Sequence, residues 1–367
     1  EKFNSLEQRN FKMDDKKTGI RQNLTNYGDL GFSTFLRKSF IKGLGYSDEM
    51  LDKPIVGIIN TFSNYNSCHG NVPDLIQSLR AGVLAKGAIP LEFPTISVHE
   101  AFTYPTSMYL RNLMAMDTEE MIRAQPMDSC VLIGGCDKTV PAQLMGALSV
   151  DMPIVQLVTG PMLTGSHRGE RVGACTDCRR LWAKFRAEEI DQAEIAEANN
   201  QLVPTVGTCG VMGTASTMAM IAETLGLMPP DSSCAPAVSS ERRRIAEYTG
   251  EIAVEIATQK RRPSSILSAK SFENALIVLL AIGGSTNGLV HLTAIAGRMG
   301  IQLDMDSFDA LSKDIPVIVD LKPSGEGYME DLHKAGGLPR ILLELKDKLH
   351  LDTHTITGKT LGEIIDE

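Results

Sequence analysis

Three of the chain's seven cysteines share one setting. Cys68 lies in NSCHGN, Cys136 in GGCDKTVP and Cys209 in GTCGVMGTA, each among small residues just ahead of a helical pattern. Small neighbours let a bulky group approach the backbone closely. Helix N-termini favour anions and draw a nearby thiol toward its thiolate form. Three thiolates at one edge of a fold suit an iron–sulfur cluster with one iron left open to a further ligand. The plainer alternative is three small side chains in three tight turns.

Oxygen donors stand close by in the sequence. Asp137 and Lys138 follow Cys136, and Glu100 lies in SVHEAFTYPT, just past an extended run. A carboxylate beside a thiolate is what a hard cation such as Mg²⁺ takes. Asp137 equally suits the N-cap of a helix starting near 139, and Glu100 a solvated loop charge. His69, next to Cys68, reads as a general base or a hydrogen-bond partner. Cys175 and Cys178 form a C-x-x-C in CTDC, without a second such pair at zinc-finger spacing or a thioredoxin-like context. They are therefore assigned a structural or incidental role rather than metal or redox work. Cys130 opens an apolar strand and reads as core; Cys234 and His167, His291, His333, His350 and His354 carry no legible signal.

The elements that must position these groups alternate. Apolar runs at 53–60, 91–97, 130–135 and 153–160 read as strands, and helical patterns fill 72–88, 106–125 and 140–150. Near-continuous apolar strands separated by helices indicate parallel β-α-β units and an α/β layered fold. In a doubly wound sheet, ligands bind outside the carboxyl ends of the strands, which is where the three thiols fall. Residues 161–185, rich in Gly and Arg and holding the only Trp, read as a functional or packing loop. Helices are expected at 186–202, 214–227, 240–259 and 270–282, then a strand at 315–321 and helical pattern over 329–349. The expected organisation is an N-terminal extension over 1–30 and one α/β domain over 31–367, open to division into two sub-halves.

Bulk properties narrow the function classes. With 36 Lys and Arg against 45 Asp and Glu the net charge is −9, and no basic run interleaves with aromatics, which argues against nucleic acid. No apolar stretch is long enough to span a membrane, and the first residues lack a signal peptide's apolar core. Seven cysteines, an odd number, suit a reducing cytoplasm with thiols used as ligands or nucleophiles. Dinucleotide-binding, P-loop, serine-hydrolase and zinc-protease signatures do not occur.

Taken together, NSCHGN, GGCDKTVPAQLMGA, GTCGVMGTASTMAMIAETLGL and GGSTNGLVHL resemble the dihydroxy-acid/6-phosphogluconate dehydratase family. They occur in the family's order, and the likeness runs from about residue 30 to the C-terminus. The resemblance implies a three-layer α/β/α domain with a mostly parallel sheet. It also implies that Cys68, Cys136 and Cys209 ligate an iron–sulfur cluster, and that Glu100, Asp137 and a carbamylated Lys138 bind Mg²⁺. The variants TFSNYNSCHGN, PTSMYLRNLMAMDTEEMIRAQPMD and GPMLTGSHRG look closest to the sugar-acid branch, which typically carries [2Fe–2S], with [4Fe–4S] the alternative.

The implied reaction dehydrates a 2,3-dihydroxy acid to a 2-keto acid, with Mg²⁺ and the cluster as Lewis acids, Asp137 and Lys138 among the catalytic groups, and no electron transfer. The family's β-rich second domain, which supplies a serine base and a further Mg²⁺ ligand, would follow TGKTLGEIIDE (357–367). The chain as given is thus expected to hold the metal half of the site without its base, and to turn over little by itself. Two alternatives stay open: the dihydroxy-acid dehydratase of branched-chain biosynthesis, and, in another class, a non-catalytic iron–sulfur protein. The Ser, His and Arg residues of 161–185 lean toward a polar substrate. The implied partners are a small hydroxy acid and further copies of the chain, as a homodimer or homotetramer.

Overall fold

Ile55–Asn60 and Ser129–Gly134 contain almost nothing that a solvent-facing strand would need, and they form the centre of a parallel sheet. The computed structural model describes residues 18–24 and 27–367. Much of the expected extension, 1–30, lies outside the described residues. In chain order the first elements are α1 (Leu30–Lys42), β1 (Ile55–Asn60), α2 (Val72–Ala85), β2 (Ile89–Pro94), α3 (Arg111–Ala124), β3 (Ser129–Gly134), α4 (Thr139–Val150) and β4 (Ile154–Val158). The four strands are all parallel, in the order β2-β1-β3-β4, with Ile55 opposite Ile89, Ile58 opposite Val131 and Leu132 opposite Gln156. Every residue of β3 is buried, as expected where helices cover both faces of a parallel sheet.

The rest of the chain is largely helical. A hairpin, β5 (Gly165–His167) and β6 (Glu170–Val172), precedes α5 (Thr176–Arg186), α6 (Gln192–Asn199), α7 (Thr214–Thr224), α8 (Ser240–Gln259) and α9 (Pro263–Ile266). Then come α10 (Ala269–Ala281), α11 (Thr286–Arg298), α12 (Met305–Asp314), α13 (Met329–Lys334), α14 (Gly337–Glu344) and α15 (Leu361–Ile365).

Right-handed crossovers that leave β1 and β3 in opposite directions put α2 and α4 on opposite faces of the sheet. On one face α2 packs along α8; on the other, α3 packs along α4. The α2–α8 contact is close because both helices are bare where they cross. A Cβ on Gly82 would stand 2.0 Å from the Glu247 carbonyl, and one on Gly250 2.3 Å from that of Leu79. The apolar interior has one main part around the sheet and a second under the C-terminal helices, where Ile277, Val278, Leu338 and Ile341 meet. The three-layer α/β/α expectation holds.

Several expected elements differ. The 161–185 segment is no plain loop but the β5–β6 hairpin followed by α5. The helix expected over 186–202 is divided: α5 ends at Arg186, Glu188 takes a left-handed φ of 59°, and Asp191 caps α6 through its side chain. Residues 315–321 are not a strand. Val317 and Ile318 are exposed, the Ile318 N–H bonds the last carbonyl of α10, and only Leu321 makes an isolated bridge, to Gly327. An apolar run becomes a strand only where a neighbouring strand offers its backbone, and among the described residues none lies alongside. The helix over 329–349 breaks at Gly336, whose φ of 107° suits glycine. Helices without a predicted counterpart include α1, α9, α11, α12 and α15.

Candidate functional site at the carboxyl edge of the sheet

With strand order 2-1-3-4, the connections diverge between β1 and β3, so the crevice at their carboxyl ends is the topological switch point. Both strands deliver a thiol there. After β1 the chain turns through Ser67–His69 with Cys68 buried; after β3 it passes Gly135 and Cys136 and enters α4. Gly135 has no room for a side chain, since a Cβ would stand 1.9 Å from Thr159 Oγ1.

His69 ties the two strand ends together. Its buried ring accepts at Nε2 from the Gly135 and Cys136 N–H groups at 3.0 and 3.1 Å, which leaves the proton on Nδ1, 2.9 Å from the Thr61 carbonyl. Burial pushes its pKa down to about 4, so the ring is neutral at pH 7. Of the two roles open to His69, the structure supports the hydrogen-bond partner: both nitrogens are engaged in holding backbone.

Cys209 arrives by a different route. The Thr208 N–H bonds the Gly160 carbonyl and the Met162 N–H bonds the Thr208 carbonyl, both at 2.9 Å, so 207–209 runs beside the chain leaving β4. The Gly207 N–H reaches the Ser67 carbonyl at 3.1 Å, locking this segment to the Cys68 turn. The thiols are electrostatically linked. A hydrogen bond with Cys136 and burial raise the Cys68 thiol well above its ordinary value, and that same bond draws Cys136 down. Cys209 is raised by its bond to another thiol and by burial, with Asp137 and Cys136 adding to the effect.

That other thiol is Cys175, whose Sγ stands 3.3 Å from that of Cys209. Cys175 belongs to the C-x-x-C assigned an incidental role from sequence; its neighbour is not Cys178 but a residue 34 positions on. The hairpin end that carries it is anchored by Asp177, fully buried, which accepts from the Gly173 N–H at 2.9 Å, Tyr328 Oη at 2.7 Å and Lys322 Nζ at 3.1 Å. Cys178 packs instead against the small apolar cluster of Val172, Leu181 and Ile195. Cys130 and Cys234 are buried inert thiols, raised by desolvation.

The oxygen donors meet around Lys138. Its Nζ is buried, 3.0 Å from Glu100 Oε2 and 3.8 Å from Asp137 Oδ2. Burial opposes ionisation of Glu100, but hydrogen bonds from Ser107 and Lys138 outweigh it and hold the carboxyl below its ordinary value. Asp137 is raised by burial, against the pull of Lys138 and the Ala215 backbone N–H at the start of α7. Asp137 is not the cap of α4: the N-cap residue is Lys138, without a side-chain bond. His291 also comes near. It is buried, accepts at Nδ1 from Arg111 at 3.0 Å, and is pushed down to about 3 by burial and by the charges of Arg111 and Lys138.

All six predicted site residues, Cys68, Glu100, Asp137, Lys138, Cys136 and Cys209, therefore lie at one edge and act on one another electrostatically. Soft thiol donors sit beside hard oxygen donors, a set that fits an iron–sulfur group and a hard cation. Among the described residues, no three His, Cys, Asp or Glu side chains converge tightly enough to hold one metal ion. A cavity of about 270 Å³ lies elsewhere, between Met228, Leu342, Leu361 and Ile365, away from this chemistry.

The family model described as dihydroxy-acid/6-phosphogluconate dehydratase N-terminal matches residues 53–364. An L-arabinonate dehydratase of Rhizobium leguminosarum bv. trifolii (strain WSM2304) is 43% identical over 340 residues, 92% of this chain and 59% of the relative. A 6-deoxy-6-sulfo-D-gluconate dehydratase of Pseudomonas putida is 40% identical over 318 residues, 87% of this chain and 55% of the relative. A dihydroxy-acid dehydratase of Haloarcula marismortui is 36% identical over 353 residues, 92% and 60%. The chain thus spans between 55% and 60% of the length of these relatives.

Proposed function

The chain belongs to the dihydroxy-acid/6-phosphogluconate dehydratase family, and on that premise we propose that it forms the metal-binding part of a hydro-lyase acting on a sugar acid. The reaction removes water from a 2,3-dihydroxy carboxylic acid: the C2 proton and the C3 hydroxyl leave, and the enol becomes a 2-keto-3-deoxy acid. The observation that carries this reading is the meeting of three thiols with Glu100, Asp137 and Lys138 at one sheet edge.

Cys68, Cys136 and Cys209 would hold the iron–sulfur cluster, of [2Fe–2S] type, and Glu100, Asp137 and Lys138 would hold Mg²⁺. When bound, these groups supply Lewis acidity at the substrate's carboxylate, 2-hydroxyl and departing 3-hydroxyl. Lys138 as an ammonium would repel a cation. As a free amine it can take up CO₂, forming an N–C bond and releasing a proton, and so present oxygen between two carboxylates. Glu100, which accepts a hydrogen bond from Ser107, would present a carboxylate oxygen to the cation. His69 keeps the Cys136 turn in place and takes no proton from substrate. The proton acceptor is then the serine that the family resemblance assigns to a second domain. Copies of the chain would associate as a homodimer or homotetramer, a point that mass measurement decides. Among the described residues no helix is long and apolar enough to cross a membrane; a cytoplasmic location is part of the proposal.

The test is 2-keto acid formation by a form that includes the second domain, with Mg²⁺ and arabinonate, xylonate, gluconate or dihydroxyisovalerate. A sugar acid is expected to be the best substrate. Preference for dihydroxyisovalerate would move the protein to the branched-chain branch, and absence of any product would overturn the dehydratase reading.

A further inference from the structure

Resting on that reading, we infer that Asn71 is a positioning residue, which fixes the Cys68 turn against the segment that carries Cys209. Asn71 stands three residues after Cys68, at the N-cap of α2. An asparagine there ordinarily turns its side-chain oxygen onto the first N–H groups of its own helix. Asn71 makes no such bond. Its buried Nδ2 donates instead to the carbonyls of Thr159 and Ala237, both at 2.9 Å, 88 and 166 positions along the chain. Its Oδ1, the atom that would have capped, has no partner among the described residues. The two carbonyls decide the amide's orientation, because the reversed amide would set oxygen against oxygen at both. An N-cap side chain has thus given up its own helix for two long-range bonds.

Both carbonyls belong to the strip of chain beside 207–209. Thr159 follows β4, and its neighbour Gly160 accepts from the Thr208 N–H. The Ala237 N–H returns to the Pro161 carbonyl at 2.8 Å. The Gly207 N–H bonds the Ser67 carbonyl, so the Cys68 turn, Asn71, Thr159, Thr208 and Gly207 form a closed circuit. Backbone bonds make the rest of that circuit, and the Asn71 side chain closes it. Packing leaves it little slack. A Cβ on Gly70 would stand 2.6 Å from Val206 Cγ1, and the Cβ of Ala237 lies 2.7 Å from where one on Gly207 would be. The four residues Cys68 to Asn71 therefore carry the registration of the thiols. His69 holds the Cys136 turn, Gly70 lets Val206 approach, and Asn71 holds the strip on which the Cys209 segment lies.

The test uses protein purified without oxygen, both iron-free and loaded with iron and sulfide. In the iron-free protein, Asn71→Ala should speed alkylation of buried Cys68, read by mass spectrometry, at least tenfold. Cys130, buried within β3, should keep its wild-type rate and so report that the sheet is intact. In the loaded protein, Asn71→Ala should speed iron release to a chelator at least tenfold. Asn71→Ser keeps one donor and should fall between Asn71→Ala and wild type; it carries the comparison where Asn71→Ala does not fold. Asn274→Ala removes another buried amide, on α10, whose Nδ2 donates to the His350 carbonyl. It should lower the melting temperature and leave both rates unchanged. Wild-type rates in both Asn71 variants, equal acceleration at Cys68 and Cys130, or the same effects from Asn274→Ala overturn the inference. The underlying reading fails separately: the wild type then holds no iron, or Cys68→Ser, Cys136→Ser and Cys209→Ser each keep it.

Discussion

Replacing His69 with alanine should loosen the turn that carries Cys136 and lower the stability of the whole fold. The ring is 0% exposed and serves three backbone groups: it accepts from two N–H groups and donates to the Thr61 carbonyl. A buried polar group left without a partner costs about 1–3 kcal/mol. Three such groups, with some relaxation, come to about 4 kcal/mol. Unfolding entropy of about 2.1 cal/mol/K per residue over 367 residues is about 0.8 kcal/mol/K, so this loss lowers the melting temperature by about 5 °C. The assay is thermal unfolding of the iron-free protein, together with alkylation rates of Cys68 and Cys136. His69→Gln, which can still accept and donate, should recover part of the loss. A melting temperature within about 1 °C of wild type for His69→Ala would refute the bridging role. Lower stability with unchanged alkylation at Cys136 would refute the link between this ring and the thiol.

Gly82→Ala should destabilise by about 2 kcal/mol or more, because its Cβ would stand 2.0 Å from the Glu247 carbonyl in the α2–α8 contact, and α8 must move away; denaturant unfolding measures it. Glu223, which accepts from the Asp231, Ser232 and Ser233 N–H groups, is raised by burial from 4.5 to about 7. A carboxyl with a raised folded-state pKa contributes stability below its unfolded value that is lost as pH rises through the folded one. The wild type should therefore lose about 3 kcal/mol from this group between pH 4.5 and above 7, and the difference from Glu223→Gln in stability against pH should show it. Tyr328→Phe removes the 2.7 Å hydrogen bond to buried Asp177 and should cost about 1–2 kcal/mol. It should also quicken proteolysis of the 164–178 hairpin region, and an unchanged cleavage pattern would count against Asp177 as its anchor.

Much of this was legible in the residues. The apolar runs of β1, β3 and β4 are buried on both faces, so their character is continuous along the chain and the parallel sheet follows from it. Cys68, Cys136 and Cys209 each precede a helix in small-residue surroundings, and all three reach one edge. The strand expected at 315–321 failed for a reason that periodicity does not carry: β pairing needs a partner, and among the described residues no strand lies beside the exposed Val317 and Ile318. The break after Arg186 was likewise hidden, since it rests on Glu188 turning left-handed and on the Asp191 cap.

What the sequence by itself determined is therefore the layered α/β class, the family, and which thiols and carboxylates belong to the carboxyl edge, because each depends on local pattern. Only the tertiary structure decided how those groups are held and which others join them. His69 is a backbone bridge because Thr61, Gly135 and Cys136 surround it. Cys175 meets Cys209 because the hairpin, anchored through Asp177 on Tyr328, folds back over the edge. The Cys175–Cys209 and Asp177–Tyr328 meetings join residues 34 and 151 positions apart, and a through-space contact of that kind leaves no period in the chain that forms it.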